Sequence, residues 1–161
     1  MKTQLMCLAC LAGFISPTFA EEMSVSHAGS EPTKIASPDN FSGRVLIDAS
    51  FRHGTLTPIG GAIVTFEPGA RTFWHTHPAG QTLIVVSGSG LVQEWGHAAK
   101  YIRTGDVVWI PPNVKHWHGA SSSNSMSHVA LSQSVNGKTV TWMEPVTDRL
   151  YQTSNKENRG F

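Results

Sequence analysis

Four of the eight histidines fall in two short, turn-rich segments. The first reads Gly69-Ala-Arg-Thr-Phe-Trp-His75-Thr-His77-Pro-Ala-Gly-Gln81 and leads into an apolar run that ends at Val86. Alternate residues of an extended chain point to one face, so His75 and His77 project together. Pro78-Ala79-Gly80 then forces a turn, and the next strand returns Gln81 to the same place. The second segment, Gly105 to His118, supplies His116 after another tight turn, with His118 at the same strand parity. Three imidazoles and one side-chain oxygen suit a first-row divalent metal that keeps open coordination positions. His75, His77, Gln81 and His116 are therefore the candidate ligands.

The elements that must position them are strands. Apolar, β-branched runs occur at Arg44 to Ile47, Ala62 to Phe66, Thr82 to Val86, Leu91 to Trp95, Val107 to Ile110, His128 to Leu131 and Val140 to Trp142. Gly60-Gly61, Pro68-Gly69, Gly88-Ser89-Gly90, Thr104-Gly105-Asp106 and Asn136-Gly137 punctuate them, the last a strong hairpin signal. This is the spacing of an all-β sandwich or barrel. A helical turn near Pro145 to Tyr151 is the only departure expected. Glu67, Arg71 and Asp106 sit near turns and are expected to fix loops by hydrogen bonds. Phe73, Trp74, Trp109 and Trp117 are candidates to wall a cavity. His27, His53 and His97 are expected to face solvent.

The N-terminus combines Lys2, an apolar stretch from Leu5 to Ile15 and small residues before a cut after Ala20, the pattern of a secretory signal peptide. Residues 1–20 are thus expected to be a leader, 21–38 a flexible polar arm, 39–151 one barrel domain, and 152–161 a frayed tail. Export to the periplasm or medium follows, with no membrane segment after cleavage. Both cysteines, Cys7 and Cys10, lie in the leader, so no disulfide is available to the remaining 141 residues. Eleven basic residues then face eleven acidic ones with no Lys/Arg cluster, which argues against nucleic acid or anionic membrane as a partner. A small-molecule substrate fits better.

The pattern Gly-x5-His-x-His-x3-Gln-x6-Gly, followed by Gly-x5-Pro-x-Asn-x2-His, resembles the paired motifs of the cupin superfamily. The resemblance implies a small jelly-roll β-barrel that binds one metal. Two positions depart from it: Gln81 stands where the family usually has Glu, and Asn113 where it usually has Gly. Asn tolerates a left-handed turn, so the second change alters little. The first leaves a dication among neutral donors, a stronger Lewis acid and a weaker metal binder.

Phe66-Glu-Pro-Gly-Ala-Arg-Thr, Trp74-His-Thr-His-Pro, Gly80-Gln-Thr-Leu-Ile-Val, Gly105-Asp-Val-Val-Trp, Lys115-His-Trp-His-Gly-Ala, Met126-Ser-His128 and Trp142-Met-Glu together resemble the cupin hydroxynitrile lyases of the mandelonitrile lyase type. That likeness runs from about Phe41 to Tyr151. It implies Mn(II), with Fe(II), Ni(II) or Zn(II) as other options, held by His75, His77, Gln81 and His116. It also implies His128 as general base, and His118 becomes a candidate proton donor or supporting group. Read from the residues alone, His128 is an ordinary barrel histidine. The implied reaction is reversible cleavage of an aromatic cyanohydrin to aldehyde and hydrogen cyanide, and a homo-oligomer, dimer or tetramer, is expected. An oxygen-using cupin dioxygenase and an exported, non-catalytic binder of a metal or small ligand are the alternatives.

Overall fold

A computed structural model describes residues 22–53 and 59–158. Twelve strands form: β1 (Lys34–Ile35), β2 (Phe41–Ser42), β3 (Val45–His53), β4 (Ile59–Phe66), β5 (Arg71–Thr72), β6 (His75–Thr76), β7 (Gln81–Glu94), β8 (Lys100–Arg103), β9 (Val107–Ile110), β10 (His116–Ala120), β11 (Met126–Gln133) and β12 (Thr141–Trp142). One helix, α1 (Asp148–Glu157), follows. All pairings are antiparallel. One sheet runs β1-β3-β4-β11-β7-β9, and the other joins β2, β5, β10 and β7, with β8 on β7 and β6 and β12 beside β10. The fold is the all-β jelly-roll barrel that the sequence implies.

Strand β7 belongs to both sheets. Its first half pairs with β11 and β9, its second with β10 and β8. The corner lies at Gly88, whose φ of +72° and whose 1.9 Å gap between an added Cβ and the Ser125 carbonyl oxygen exclude any side chain. The sequence reads Thr82 to Val86 and Leu91 to Trp95 as two strands because Gly88-Ser89-Gly90 looks like a turn; it is a bend within one strand instead.

Between the sheets lies a core built on Phe66, Leu83, Val85, Met126 and Ile110. A second cluster, Trp74, Leu91, Trp117, Val146 and Tyr151, fills the space between the outer side of the second sheet and α1. Hence β10 is buried on both faces, and its alternation is invisible in the sequence.

Helix α1 corrects the expected tail. Residues 152–157 are helical rather than frayed, and Ser154 and Asn155 are buried with Tyr151. Thr147 caps the helix by accepting from the Leu150 amide at 3.2 Å, and Asp148 and Lys156 suit its dipole. Polar contacts dock it: Tyr151 donates to the Ala120 carbonyl at 2.8 Å, and Asn155 accepts from the Ser122 amide at 2.8 Å. A buried face of Ser and Asn leaves no apolar period to read. Arg71 fixes its turn as expected, donating to the Gly69 carbonyl at 3.3 Å, and also anchors this helix through Asp148 (2.6 Å), the Val146 carbonyl (2.9 Å) and the Tyr151 ring.

At the other end, β1 ties the arm to β3, Lys34 to Ile47 and Ile35 to Leu46, so part of the expected flexible arm is sheet. Residues 1–20, expected to be a leader, lie outside the described residues. Among those described, no helix is long and apolar enough to cross a membrane.

Candidate metal centre

His75, His77, Gln81, His116, His118 and His128 are all buried inside the barrel. β6 carries His75 and pairs it with His116 on β10. The loop after β6 turns at Gly80 (φ +82°) and hands Gln81 to the start of β7. On the other side Asn113, at φ +62°, reverses the chain before β10, the left-handed conformation its position demands. Its amide donates to the His77 carbonyl at 2.8 Å and so ties the two histidine segments together.

Three of the imidazoles are fixed in one tautomer. The Nδ1 atoms of His75, His77 and His116 face the carbonyls of Phe73 (2.9 Å), Thr139 (2.7 Å) and Val114 (2.8 Å). A carbonyl only accepts, so each Nδ1 carries the proton and each Nε2 keeps a free lone pair, the arrangement of a metal ligand. Ring centroids lie 4.1 Å apart for His75 and His116, 5.2 Å for His75 and His77, and 5.7 Å for His77 and His116.

The donor set fits a divalent ion. His77 Nε2 is buried without a hydrogen-bond partner. Gln81 Oε1 stands 3.1 Å from His116 Nε2, two acceptor atoms facing each other, a contact that a shared cation relieves. No Asp or Glu is buried with them among the described residues, so nothing nearby cancels the charge of a dication.

His118 enters more closely than the sequence suggests. One ligand nitrogen each from His75, His116 and His118 lies within 4.8 Å of the others, a buried three-histidine group able to hold a metal. Its Nδ1 is 3.1 Å from His128 Nε2, while His118 Nε2 and His128 Nδ1 have no partner. His118 thus adjoins the ligand cluster and His128 together, with Phe66 against both rings at 5.7 and 5.4 Å.

Burial is the first cause of every shifted titration here. It holds His116 and His128 down to about 4, with smaller opposing contributions from backbone hydrogen bonds. It pushes His75 and His118 well below the usual value, aided by neighbouring imidazoles, and lowers His77. All five are neutral at neutral pH and free to act as ligands or bases.

The aromatic surroundings match those expected only in part. Trp74 and Trp117 pack under α1, while Trp109, though exposed, helps line a cavity that reaches His116. Phe66 and Trp142 touch the histidines instead, the latter 4.8 Å from His75. Trp142 pairs with His75 across β12 and β6, a register that separation in sequence conceals.

A cupin-domain family model matches residues 62–131. The chain is also 48% identical over 130 residues to an (R)-mandelonitrile lyase of Granulicella tundricola, covering 81% of this chain and 99% of that one. The chain belongs to the cupin family. A solved cupin-like protein from Thermotoga maritima superposes with a TM-score of 0.70 at 37% identity, over 86% of this cupin and all of that chain. A cupin-2 domain from Rhodospirillum rubrum matches with a TM-score of 0.60 at 15% identity, over 88% and 91%, which speaks for the fold alone. A curated relative named as a lyase gives this cupin an enzymatic, lyase-like character.

Proposed function

We propose that this cupin is a metal-dependent carbon–carbon lyase that reversibly cleaves aromatic cyanohydrins such as mandelonitrile into aldehyde and hydrogen cyanide. One observation carries the reading: the histidine cluster holds a neutral amide, Gln81, and no buried carboxylate among the described residues. The relative from Granulicella tundricola supports the substrate class.

His75, His77, Gln81 and His116 would hold the ion, Mn(II) first among the options. When bound, it supplies a Lewis acid that lowers the pKa of a hydroxyl beside it. His128 takes the hydroxyl proton, with His118 as the hydrogen-bonded neighbour that shares it through Nδ1. As the carbonyl of the aldehyde forms, the bond to the nitrile carbon breaks and cyanide leaves with the electron pair. The proton held by the His118–His128 pair then passes to cyanide, which restores both rings. The Phe66 ring excludes water behind them.

Release of cyanide from mandelonitrile tests this on wild type and His128→Ala, with metal content measured on the same samples. The expected result is loss of release, by at least about a hundredfold, at unchanged metal content. Equal rates in the two proteins would remove His128 from the reaction.

A further inference from the structure

Residues 139–144 run beside the first histidine segment and touch it at every residue from Trp74 to His77. The turn at Asn136-Gly137 sends the chain back from β11, and the β-branched and aromatic run Thr139 to Trp142 leads into β12. Trp74 donates to the Glu144 carbonyl at 3.1 Å and accepts from the Met143 amide at 2.9 Å. Trp142 and Thr141 pair with His75 and Thr76. The Thr139 carbonyl accepts from His77 Nδ1 at 2.7 Å. Among the described residues β6 is the single strand partner of β12, so this strap is tied to the barrel through the histidine segment itself.

Two side chains close the strap. Trp142 is half-buried, with its ring centre 4.8 Å from that of His75 and 5.3 Å from that of Phe41 on β2. Glu144 pairs with Lys115, the residue before His116. The Lys115 ammonium is held in turn 3.5 Å from the centre of the Trp95 ring and 5.5 Å from that of Trp74. The strap therefore joins both histidine segments, the first along its backbone and the second through one ion pair.

An ion held by several imidazoles leaves by losing them one at a time, and each ring must swing aside before its place is taken. His77 cannot swing without giving up its bond to Thr139. His75 cannot swing without displacing the Trp142 ring. An indole N–H donates and offers no lone pair, so Trp142 acts on an ion only by holding His75.

We propose that residues 139–144 are a clasp that sets how fast metal leaves the centre, with Trp142 as the positioning residue for His75 and the Lys115–Glu144 pair as the latch. The clasp presupposes the metal centre proposed above and is independent of its substrate.

Protein loaded with Mn(II) and then exposed to excess chelator tests this, the metal left on the chain being measured at intervals by elemental analysis after desalting. Trp142→Ala is expected to lose metal about tenfold or more faster than wild type. Trp142→Phe keeps a ring against His75 and should stay closer to wild type than to Trp142→Ala. Glu144→Gln should release about threefold faster. Added salt should speed release from wild type more than from Glu144→Gln, because screening weakens a partly exposed ion pair. Release at the wild-type rate from Trp142→Ala or from Glu144→Gln overturns the clasp. Should circular dichroism show Trp142→Ala unfolded, the rate and salt dependence of Glu144→Gln decide alone, and wild-type behaviour in both overturns it. Wild type that takes up no metal overturns the centre itself, a result distinct from loaded proteins that all release alike.

Discussion

Gln81 places an uncharged oxygen 3.1 Å from the His116 lone pair, and its chemistry follows from what it lacks. Gln81→Glu adds a negative charge beside the ion, so metal should bind at least as tightly while the ion polarises a substrate hydroxyl less. Cyanide release is expected to slow by about tenfold or more, or 1.4 kcal/mol in the barrier; unchanged turnover with tighter metal would contradict the charge argument. The choice between His77 and His118 as third imidazole is settled by metal analysis. His77→Ala should lose metal, and His118→Ala should keep it while losing activity; the reverse pattern would make His118 the ligand. The spacing His-x-His-x3-Gln is legible in sequence because strand parity dictates it. The His118–His128 contact is not, since it joins β10 to β11 across the two sheets.

Acid stability follows from the same rings. His116 and His128 are held near 4 in the fold by burial, against about 6.5 when unfolded. Above pH 6.5 both states are neutral, and the full stability is present. As pH falls towards 4 the unfolded chain binds protons that the fold refuses, which costs about 3 kcal/mol for each ring. Urea midpoints of the metal-free protein should therefore fall steadily from pH 6.5 to 4. A flat profile over that window would show that the rings are solvated.

At the scale of elements, the barrel depends on one bent strand and one polar helix. Gly88→Ala should destabilise by about 3 kcal/mol, through left-handed strain and the clash with Ser125, read as a fall of roughly 10 °C in Tm. Tyr151→Phe removes the hydrogen bond to Ala120 that docks α1 and should cost about 1–2 kcal/mol in urea unfolding; no change would mean the helix is held by its apolar contacts alone. Strand β9 is read from sequence with its bounds, Val107 to Ile110, because a short β-branched and aromatic run lies between Thr104-Gly105-Asp106 and Pro111. The Asn136-Gly137 turn also forms as read, with Val135 and Lys138 exchanging both backbone hydrogen bonds. β8 is missing from the apolar runs, and β10 enters only through the shared parity of His116 and His118, for different reasons. Lys100 to Arg103 carries a charge at each end and so does not look like an apolar strand, and His116 to Ala120 is buried on both faces.

At the scale of the molecule, two layers share the labour. The sheet with β4, β11 and β9 supplies His128, while the other sheet carries His75, His116 and His118 and takes α1 on its back. The histidines stand between the layers, so barrel closure and assembly of the centre are one event. The claim that a neutral-donor ion drives cyanohydrin cleavage is tested most directly by cyanide release from mandelonitrile before chelation, after chelation and after Mn(II) is returned. Release should vanish with the metal and recover with one equivalent per chain. Cyanide release that survives complete metal removal, or fails to appear in the fully loaded protein, would contradict it.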